Sequence, residues 1–261
     1  GYSLYELIPF KSKLPLYVDI EYYMNKENDV PLESFIELYS LFVKDKRPTY
    51  YNQEIKKDDW KISRATREKV VGDFTFIYHS FHVVLSQKSL YFNNQHDIKI
   101  LLKNMEYWAQ NHTDGKITSL YHNLNIESPR NKEKGIIDYK VYNVNIGTFK
   151  AFRLPYSQKS NGNDILTPLD CEDDDIKNYF VTYKQRYDKT AYCVNIPPDW
   201  YQSSKLVTNP SAYKISTPSL IIPTSTSRRV TDLFNRYHPN GKFVSSRISA
   251  SGDYIYKFAD Y

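Results

Sequence analysis

Two acidic side chains, Asp19 and Glu21, interrupt the apolar and aromatic stretch LYVDIEYY at positions 16–23. Side chains alternate between the two faces of a strand, so both carboxylates would point to one face, about 7 Å apart. Burying two unpaired carboxylates is costly. A divalent cation relieves that cost, because Mg²⁺ binds a few carboxylate oxygens and keeps its other positions for water and phosphate. The pair predicts a metal site or, alternatively, the solvated face of an edge strand.

A second polar pair, Ser80 and His82, interrupts the apolar stretch FTFIYHSFHVVL at positions 74–85 with the same spacing. On a strand the two side chains share a face with Tyr78, whereas His79 lies on the opposite face among apolar residues. Ser80 and His82 are therefore predicted to donate hydrogen bonds to phosphate oxygens. His79 is predicted to be a core residue.

A single acid, Asp138, follows two isoleucines in GIIDYKVYN, which on its own is a common pattern at the end of a strand. The segment FKAFRLPYSQK then supplies Lys150, Arg153, Ser157 and Lys159. Cations near acids indicate either ion pairs or a site for a polyanion that carries a metal. A nucleoside triphosphate with Mg²⁺ is such a ligand, and arginine can bind its phosphates bidentately.

A third cluster of charge, WKISRATREK at positions 60–69, places Trp60, Arg64 and Arg67 close together in sequence. These residues are candidates for binding template phosphates or stacking a base. The alternative is a solvated helix face with Trp60 packed inward. Arg228 and Arg229 are further candidate contacts to a nucleic-acid template.

The elements that must position these residues follow from periodicity. Alternating and apolar runs predict strands at Leu16–Tyr23, Phe74–Leu85, Ile136–Asn143, Phe149–Leu154, Tyr179–Tyr183 and Ala191–Ile196. Helical spacing of apolar residues predicts helices at Pro31–Lys46 and Asp97–Asn111. This mixture indicates an α/β or α+β protein, and the short separation of the third and fourth predicted strands favours an antiparallel sheet. Beyond Ile196, Pro, Ser and Thr predict a connecting segment, followed by a short helix at Ser227–Tyr237.

Composition sets bounds on the class of protein. The 261 residues carry a formal net charge of +5, which permits a polyanionic partner without requiring one. The chain has 2 cysteines, which are too few for a Cys-rich zinc site or a disulfide framework and fit a reducing compartment. No apolar run approaches the roughly 20 residues needed to span a bilayer. A start at Gly1 rather than Met predicts that the sequence is a piece of a longer chain.

Taken in order, these motifs resemble one known superfamily. D-x-E, S-x-H, an acid after two isoleucines, and R-x-x-x-S-x-K resemble the archaeo-eukaryotic primases. The resemblance is greatest to the PrimPol group and to the primase domains of viral primase–helicases of the poxvirus and large DNA virus type. YELIP at positions 5–9 resembles a PrimPol pattern upstream of the metal-binding acid. The likeness covers residues 5–159, and more loosely extends to Ile196.

The resemblance implies a fold. It implies an α+β primase fold with a mainly antiparallel, RRM-like catalytic sheet flanked by helices, and a smaller N-terminal α/β module. Residues 1–200 would form the catalytic core. Residues 201–261 would form an irregular connecting segment and a small C-terminal element packed on that core.

The resemblance also implies roles for individual residues. Asp19, Glu21 and Asp138 would bind two divalent ions, Mg²⁺ or Mn²⁺, and no zinc is expected. The nucleotide would be bound by Tyr5, Ser80, His82, Lys150, Arg153, Ser157 and Lys159. Tyr5 would lie near the incoming sugar. A basic residue upstream of Gly1, a zinc module and a helicase, all found in members of the family, are not part of this sequence.

The implied activity is template-dependent nucleotidyl transfer that makes or extends RNA or DNA primers on single-stranded DNA. The partners would be the template, nucleoside triphosphates and a helicase in the full-length chain, without a membrane. The location would be intracellular, and at a viral replication site in the host cell if the protein is viral. Two alternatives remain open: a catalytically weak nucleotide- or DNA-binding module of a replicative helicase, and a metal-dependent nuclease.

Overall fold

In a computed structural model of the protein, the described residues are 3–24, 29–46, 54–71, 73–126, 135–142, 148–159, 164–171, 173–183, 186–202, 241–248 and 254–260. The strands are β1 (Tyr5–Pro9), β2 (Lys11–Leu14), β3 (Leu16–Met24), β4 (Trp60–Val71), β5 (Phe74–Leu85), β6 (Leu90–Asn94), β7 (Phe149–Arg153), β8 (Thr167–Pro168), β9 (Tyr192–Cys193), β10 (Gly241–Ile248) and β11 (Tyr254–Asp260). The helices are α1 (Val30–Lys46), α2 (Gln95–Gln110), α3 (Gly115–Leu124) and α4 (Pro198–Gln202). The protein is therefore a mixed α+β protein with mostly antiparallel sheets, as predicted.

The central sheet has the order β3-β5-β4-β8, and every neighbouring pair is antiparallel. One of its faces, hereafter the apolar face, carries Ile20, Phe81 and Val83, which are fully buried. Helix α1 covers this face at Trp60, whose ring lies 5.6 Å from the ring of Tyr39. The other face carries the predicted acids and is hereafter called the carboxylate face.

His79 confirms the predicted division of β5 into two faces. It is fully buried, and its ring stacks on Tyr22 with the centroids 4.8 Å apart. Phe81 continues the stack at 6.1 Å from His79. The bounds of β5 match the predicted Phe74–Leu85, and β3 extends one residue beyond the predicted Tyr23.

Strand β4 corrects one of the readings of WKISRATREK. The segment is a strand paired along its whole length with β5, not a solvated helix face. Its charged residues are accommodated because many are ion-paired: Lys61 Nζ lies 2.5 Å from Asp175 Oδ2. Trp60 does pack inward, at 8% exposure.

Strands β1 and β7 form a two-stranded antiparallel ribbon, in which Tyr5 lies opposite Arg153. The predicted strand that begins at Ile136 is not formed in the described residues up to Tyr142. Ile137 makes only an isolated antiparallel bridge with Ile20, and a short 3-10 helix follows at Tyr139–Val141.

The predicted strand at Tyr179–Tyr183 is also wrong, and Glu6 of β1 supplies the reason. The Glu6 carboxylate accepts hydrogen bonds from the backbone N–H groups of Val181 and Thr182, at 2.8 Å and 2.9 Å. A buried side chain therefore satisfies donors that would otherwise need a partner strand.

The remaining elements complete the structure around these sheets. Strands β2, β6 and β9 form a second sheet in which β6 and β9 are parallel, and the predicted strand Ala191–Ile196 shortens to β9. Helix α2 begins earlier than predicted, because the Asn94 side chain caps it by accepting from Asp97 N. Among the described helices, none is both long and apolar enough to cross a membrane.

The C-terminal region contains an antiparallel hairpin of β10 and β11, where a small terminal element is predicted. Strand β11 contacts β1. The predicted connecting segment and the predicted helix Ser227–Tyr237 lie outside the described residues.

Candidate active site

The two polar pairs predicted from sequence face each other across neighbouring strands. In the register of β3 and β5, Asp19 lies opposite His82 and Glu21 lies opposite Ser80. Cross-strand partners share a face, so these residues form one polar patch on the carboxylate face. The alternation of apolar and polar residues that predicted the patch is therefore found in both strands.

Asp138 joins this patch from a distant part of the sequence. Its backbone N–H donates to the Asp19 carbonyl at 2.9 Å, and the Glu21 N–H donates to the Ile136 carbonyl at 2.8 Å. The Asp138 carboxylate also caps the following 3-10 helix by accepting from Lys140 N at 2.8 Å. This pairing places Asp138 directly beside Asp19, so the three predicted acids lie together.

Asp19 is the most constrained of the three acids. It is 8% exposed, and its Oδ1 atom has no hydrogen-bond partner among the described residues. Burial raises the pKa of the Asp19 carboxyl well above its usual range, and the charges of Glu21 and Asp138 raise it further. A buried carboxylate with an unused oxygen and two acidic neighbours requires either a proton or a cation.

His82 is held on two sides. Its Nδ1 lies 3.1 Å from the Arg153 carbonyl, its Nε2 lies 3.8 Å from Asp19 Oδ1, and its ring stacks on Phe152 with the centroids 4.1 Å apart. Because a carbonyl can only accept, Nδ1 carries the hydrogen. Burial and the nearby Arg153 charge lower the pKa of His82 well below its usual value. A neutral His82 therefore presents an Nε2 lone pair to Asp19, and the predicted donation to phosphate requires uptake of a proton.

Ser80 provides a second unused polar group in the patch. It is 1% exposed, and its hydroxyl has no hydrogen-bond partner among the described residues. A buried hydroxyl without a partner reduces stability by about 1–3 kcal/mol. The position is consistent with a group that is kept for a ligand.

Arg153 and Lys159, hereafter the cationic cradle, face the acids from β7 and the loop after it. Arg153 is 2% exposed; its Nη1 donates to the Asp164 carbonyl at 3.2 Å, while Nε and Nη2 have no partner in the described part of the chain. Lys159 Nζ lies 3.7 Å from Glu21 Oε1. Both cations lower the pKa of Asp19, against the larger opposing effect of burial. Tyr5, opposite Arg153 on β1, borders the cradle.

Two predicted nucleotide-binding residues have other contacts. The Ser157 hydroxyl lies 3.1 Å from the Leu4 carbonyl and 2.5 Å from the Leu154 carbonyl, and it shares its one hydrogen between them, so it fixes the loop that carries Lys159. Lys150 lies at the other end of β7 from Arg153. Its positive charge helps to lower the pKa of Lys99 in α2, although burial is the largest cause of that shift.

The predicted template-binding residues are split between the two faces. Trp60 is buried against α1, and Arg64 lies on the same apolar face, with Nη1 3.4 Å from Asp29 Oδ2. Arg67 lies opposite Tyr78 on the carboxylate face. Arg228 and Arg229 lie outside the described residues.

Sequence reasoning missed the roles of Tyr78 and Asp164. A Tyr78 hydrogen bond to Glu21 contributes to raising the pKa of the Tyr78 hydroxyl, although burial is the largest cause. Strand alternation had placed Tyr78 on this face, so the signal was available. Asp164 binds Arg67, which lies 97 residues earlier, and no local pattern indicates that pair.

The residues present fit a divalent cation by their chemistry. Three carboxylates with an unused, buried oxygen are the donor set that Mg²⁺ or Mn²⁺ prefers. Within the described ranges, no three His, Cys, Asp or Glu side chains are already arranged as a metal-binding group. The fit therefore depends on the donor types and on the electrostatic need of Asp19 for a cation.

Neither a scan against protein-family models nor a search of curated proteins found a match.

Proposed function

We propose that the protein is a template-dependent nucleotidyl transferase, a DNA primase or primase–polymerase of the archaeo-eukaryotic primase fold. The observation that carries the proposal is the convergence of Asp19, Glu21 and Asp138 on one face, opposite Arg153 and Lys159. Three acids beside two cations suit a triphosphate that arrives with its metal. A nuclease site would also use the acids, and the cationic cradle is a closer match to the concentrated charge of a triphosphate than to a single phosphodiester.

The proposed mechanism assigns the acids to cation binding. Asp19, Glu21 and Asp138 would hold Mg²⁺ or Mn²⁺, which would activate a 3′-hydroxyl and neutralise charge on the leaving pyrophosphate. Phosphoryl transfer depends mainly on positioning and electrostatic stabilisation, so the side chains need not form covalent bonds.

The remaining residues would position the triphosphate. Arg153 offers two unpartnered guanidinium nitrogens, and Ser80 offers a hydroxyl. Lys159 lies beside Glu21 at the more exposed side of the patch. These groups would bind phosphate oxygens as charge develops on them. Tyr5, next to Arg153, would border the nucleotide sugar.

The decisive experiment is a primer-synthesis and extension assay on single-stranded DNA with Mg²⁺ or Mn²⁺. Ribonucleotide and deoxynucleotide pools are supplied separately. We expect product with the wild-type protein and at least a hundred-fold loss with Asp19→Ala or Glu21→Ala, since each removes a proposed metal ligand. Asp58→Ala, at an exposed acid away from the patch, is the matched control.

Three outcomes would contradict the proposal. Normal incorporation by Asp19→Ala and Glu21→Ala would exclude the proposed metal ligands. Metal-dependent degradation of DNA without added nucleotides, with no synthesis when nucleotides are present, would favour the nuclease instead. Binding of nucleotide and DNA without either reaction would favour the catalytically weak module.

A further inference from the structure

Arg67 and Asp164 form a chelated ion pair at the edge of the candidate site. Arg67 Nη1 lies 3.0 Å and 2.9 Å from the two carboxylate oxygens of Asp164. The Asp164 side chain is 2% exposed and the Arg67 side chain 26%. Arg67 also lies over the ring of Tyr78, 4.8 Å from its centroid. The pair is therefore well packed on the carboxylate face.

Asp164 contacts a second arginine through its backbone. Its carbonyl accepts from Arg153 Nη1 at 3.2 Å, while its carboxylate accepts from Arg67. One residue thus lies between two guanidinium groups and binds each with a different oxygen. The Nε and Nη2 atoms of Arg153 remain without partners among the described residues.

Arg67 is therefore linked to Arg153 through Asp164, which contacts both arginines. A buried carboxylate without a charged donor beside it strongly destabilises the folded protein. The Asp164 charge already acts on Arg153, whose pKa it raises against the larger effect of burial, and two nitrogens of Arg153 have no partner among the described residues, so without Arg67 the carboxylate could pair with them. The carboxylate would then occupy the nitrogens that an incoming anion needs.

We propose that Arg67 is a positioning residue: it holds the Asp164 carboxylate, so that Arg153 keeps two nitrogens free for a triphosphate. The inference rests on the proposed function for the identity of the anion. Arg67 would act through Asp164 and Arg153, and not by contact with the phosphates. This differs from the template-binding role that the sequence predicted for Arg67.

The test uses inorganic triphosphate, with no metal, nucleoside or template, and measures its affinity by calorimetry. Arg67→Gln should weaken binding by about tenfold or more, the size of a lost charge-assisted hydrogen bond. In the double variant Arg67→Gln/Asp164→Asn, the competing carboxylate is absent. We therefore expect affinity to return to within about threefold of the wild type.

Two further variants complete the design. Asp164→Asn alone keeps the backbone carbonyl and removes the competitor, so its affinity should equal or exceed that of the wild type. Arg64→Gln is the matched control: it lies on the same strand but on the apolar face, paired with Asp29. It should leave triphosphate affinity within about twofold. Thermal unfolding of every variant shows whether the fold is retained.

Each outcome decides the inference. Unchanged affinity in Arg67→Gln would overturn it, and so would a double variant as weak as the single one, since Arg67 would then contact the anion itself. If Arg67→Gln does not fold, tenfold weaker binding by Asp164→Asn alone would overturn it. Triphosphate binding that follows the expected pattern in a protein that makes no polymer would overturn only the proposed function. A wild-type protein that binds no triphosphate would overturn both.

Discussion

The two faces of the central sheet are built from the same strands and have opposite properties. On the apolar face, the rings of Tyr22, His79 and Phe81 stack on one another. On the carboxylate face, Asp19 and Ser80 have buried polar atoms without partners among the described residues. Natural proteins satisfy nearly all buried polar groups, so such exceptions need an explanation. Because the unpartnered polar atoms of Asp19, Ser80 and Arg153 lie together on the carboxylate face, we infer that this face is kept for a ligand, whereas the apolar face stabilises the fold.

The largest change in stability should distinguish two substitutions at adjacent positions of β5, one on each face of the sheet. Phe81→Ala leaves a cavity in the core and should lower the free energy of unfolding by about 3–5 kcal/mol. Ser80→Ala removes a hydroxyl without a partner and should leave stability unchanged or slightly higher, while primer extension falls. Urea unfolding measures the first effect and the extension assay the second. Equal losses of stability in the two variants would contradict the division between the faces.

The next effect in size is a gain in stability, which is expected from Asp19→Asn. Below about pH 4 the carboxyl is protonated in the folded and unfolded chains alike. Above that, the unfolded chain releases the proton and the folded chain retains it, because the Asp19 pKa is raised in the fold. Wild-type stability therefore falls as pH rises through this window. The variant should be more stable than the wild type at pH 7, and by a smaller margin at pH 4.

Urea unfolding at pH 4, 5.5 and 7 tests this dependence, with Asp58→Asn as the control at an exposed acid. The control should behave as the wild type does at every pH. An advantage of Asp19→Asn that does not grow with pH would show that the Asp19 carboxylate is not destabilised by the fold.

Divalent cations should stabilise the protein by binding at the carboxylate face. A cation bound at about ten times its Kd stabilises the folded state by about 1.4 kcal/mol. We expect Mn²⁺ to raise the thermal midpoint of the wild-type protein and not that of Asp19→Asn or Glu21→Gln. The same shift in the wild type and in both variants would place the cation elsewhere.

The smallest effect on stability is expected at the rim of the patch. Lys159 is 38% exposed and lies 3.7 Å from Glu21, so its ion pair should contribute less than about 0.5 kcal/mol. Lys159→Met should therefore unfold as the wild type does and yet bind nucleoside triphosphate more weakly. Unchanged triphosphate affinity would remove Lys159 from the cationic cradle.

Patterns within a single element were predictable from the sequence. Alternation in β3 and β5 placed Asp19, Glu21, Ser80 and His82 on one face, and the register confirms that placement. Helical spacing located α1 and α2 to within two residues at their ends. These features depend on neighbours a few positions away, which a sequence displays directly.

Features that depend on distant partners were not predictable. Strand β4 carries several charges, so its sequence does not alternate as a half-buried strand should, and only its pairing with β5 makes it a strand. The pairing of β7 with β1 and the contact of Asp164 with Arg67 join residues far apart in the chain. The side chains that complete the candidate site depend on these long-range contacts.

The Glu6 contact has a consequence for synthesis on the ribosome. Its carboxylate binds Val181 and Thr182, which are 175 and 176 positions later. Because a nascent chain folds from its N-terminus, β1 emerges early, and it can pack against Val181 and Thr182 only after most of the protein has been synthesised. Tyr5 meets Arg153 on the same ribbon, so the cationic cradle is also completed late. A translation product that stops before residue 149 would therefore contain both strand acids of the patch, Asp19 and Glu21, and no assembled cationic cradle.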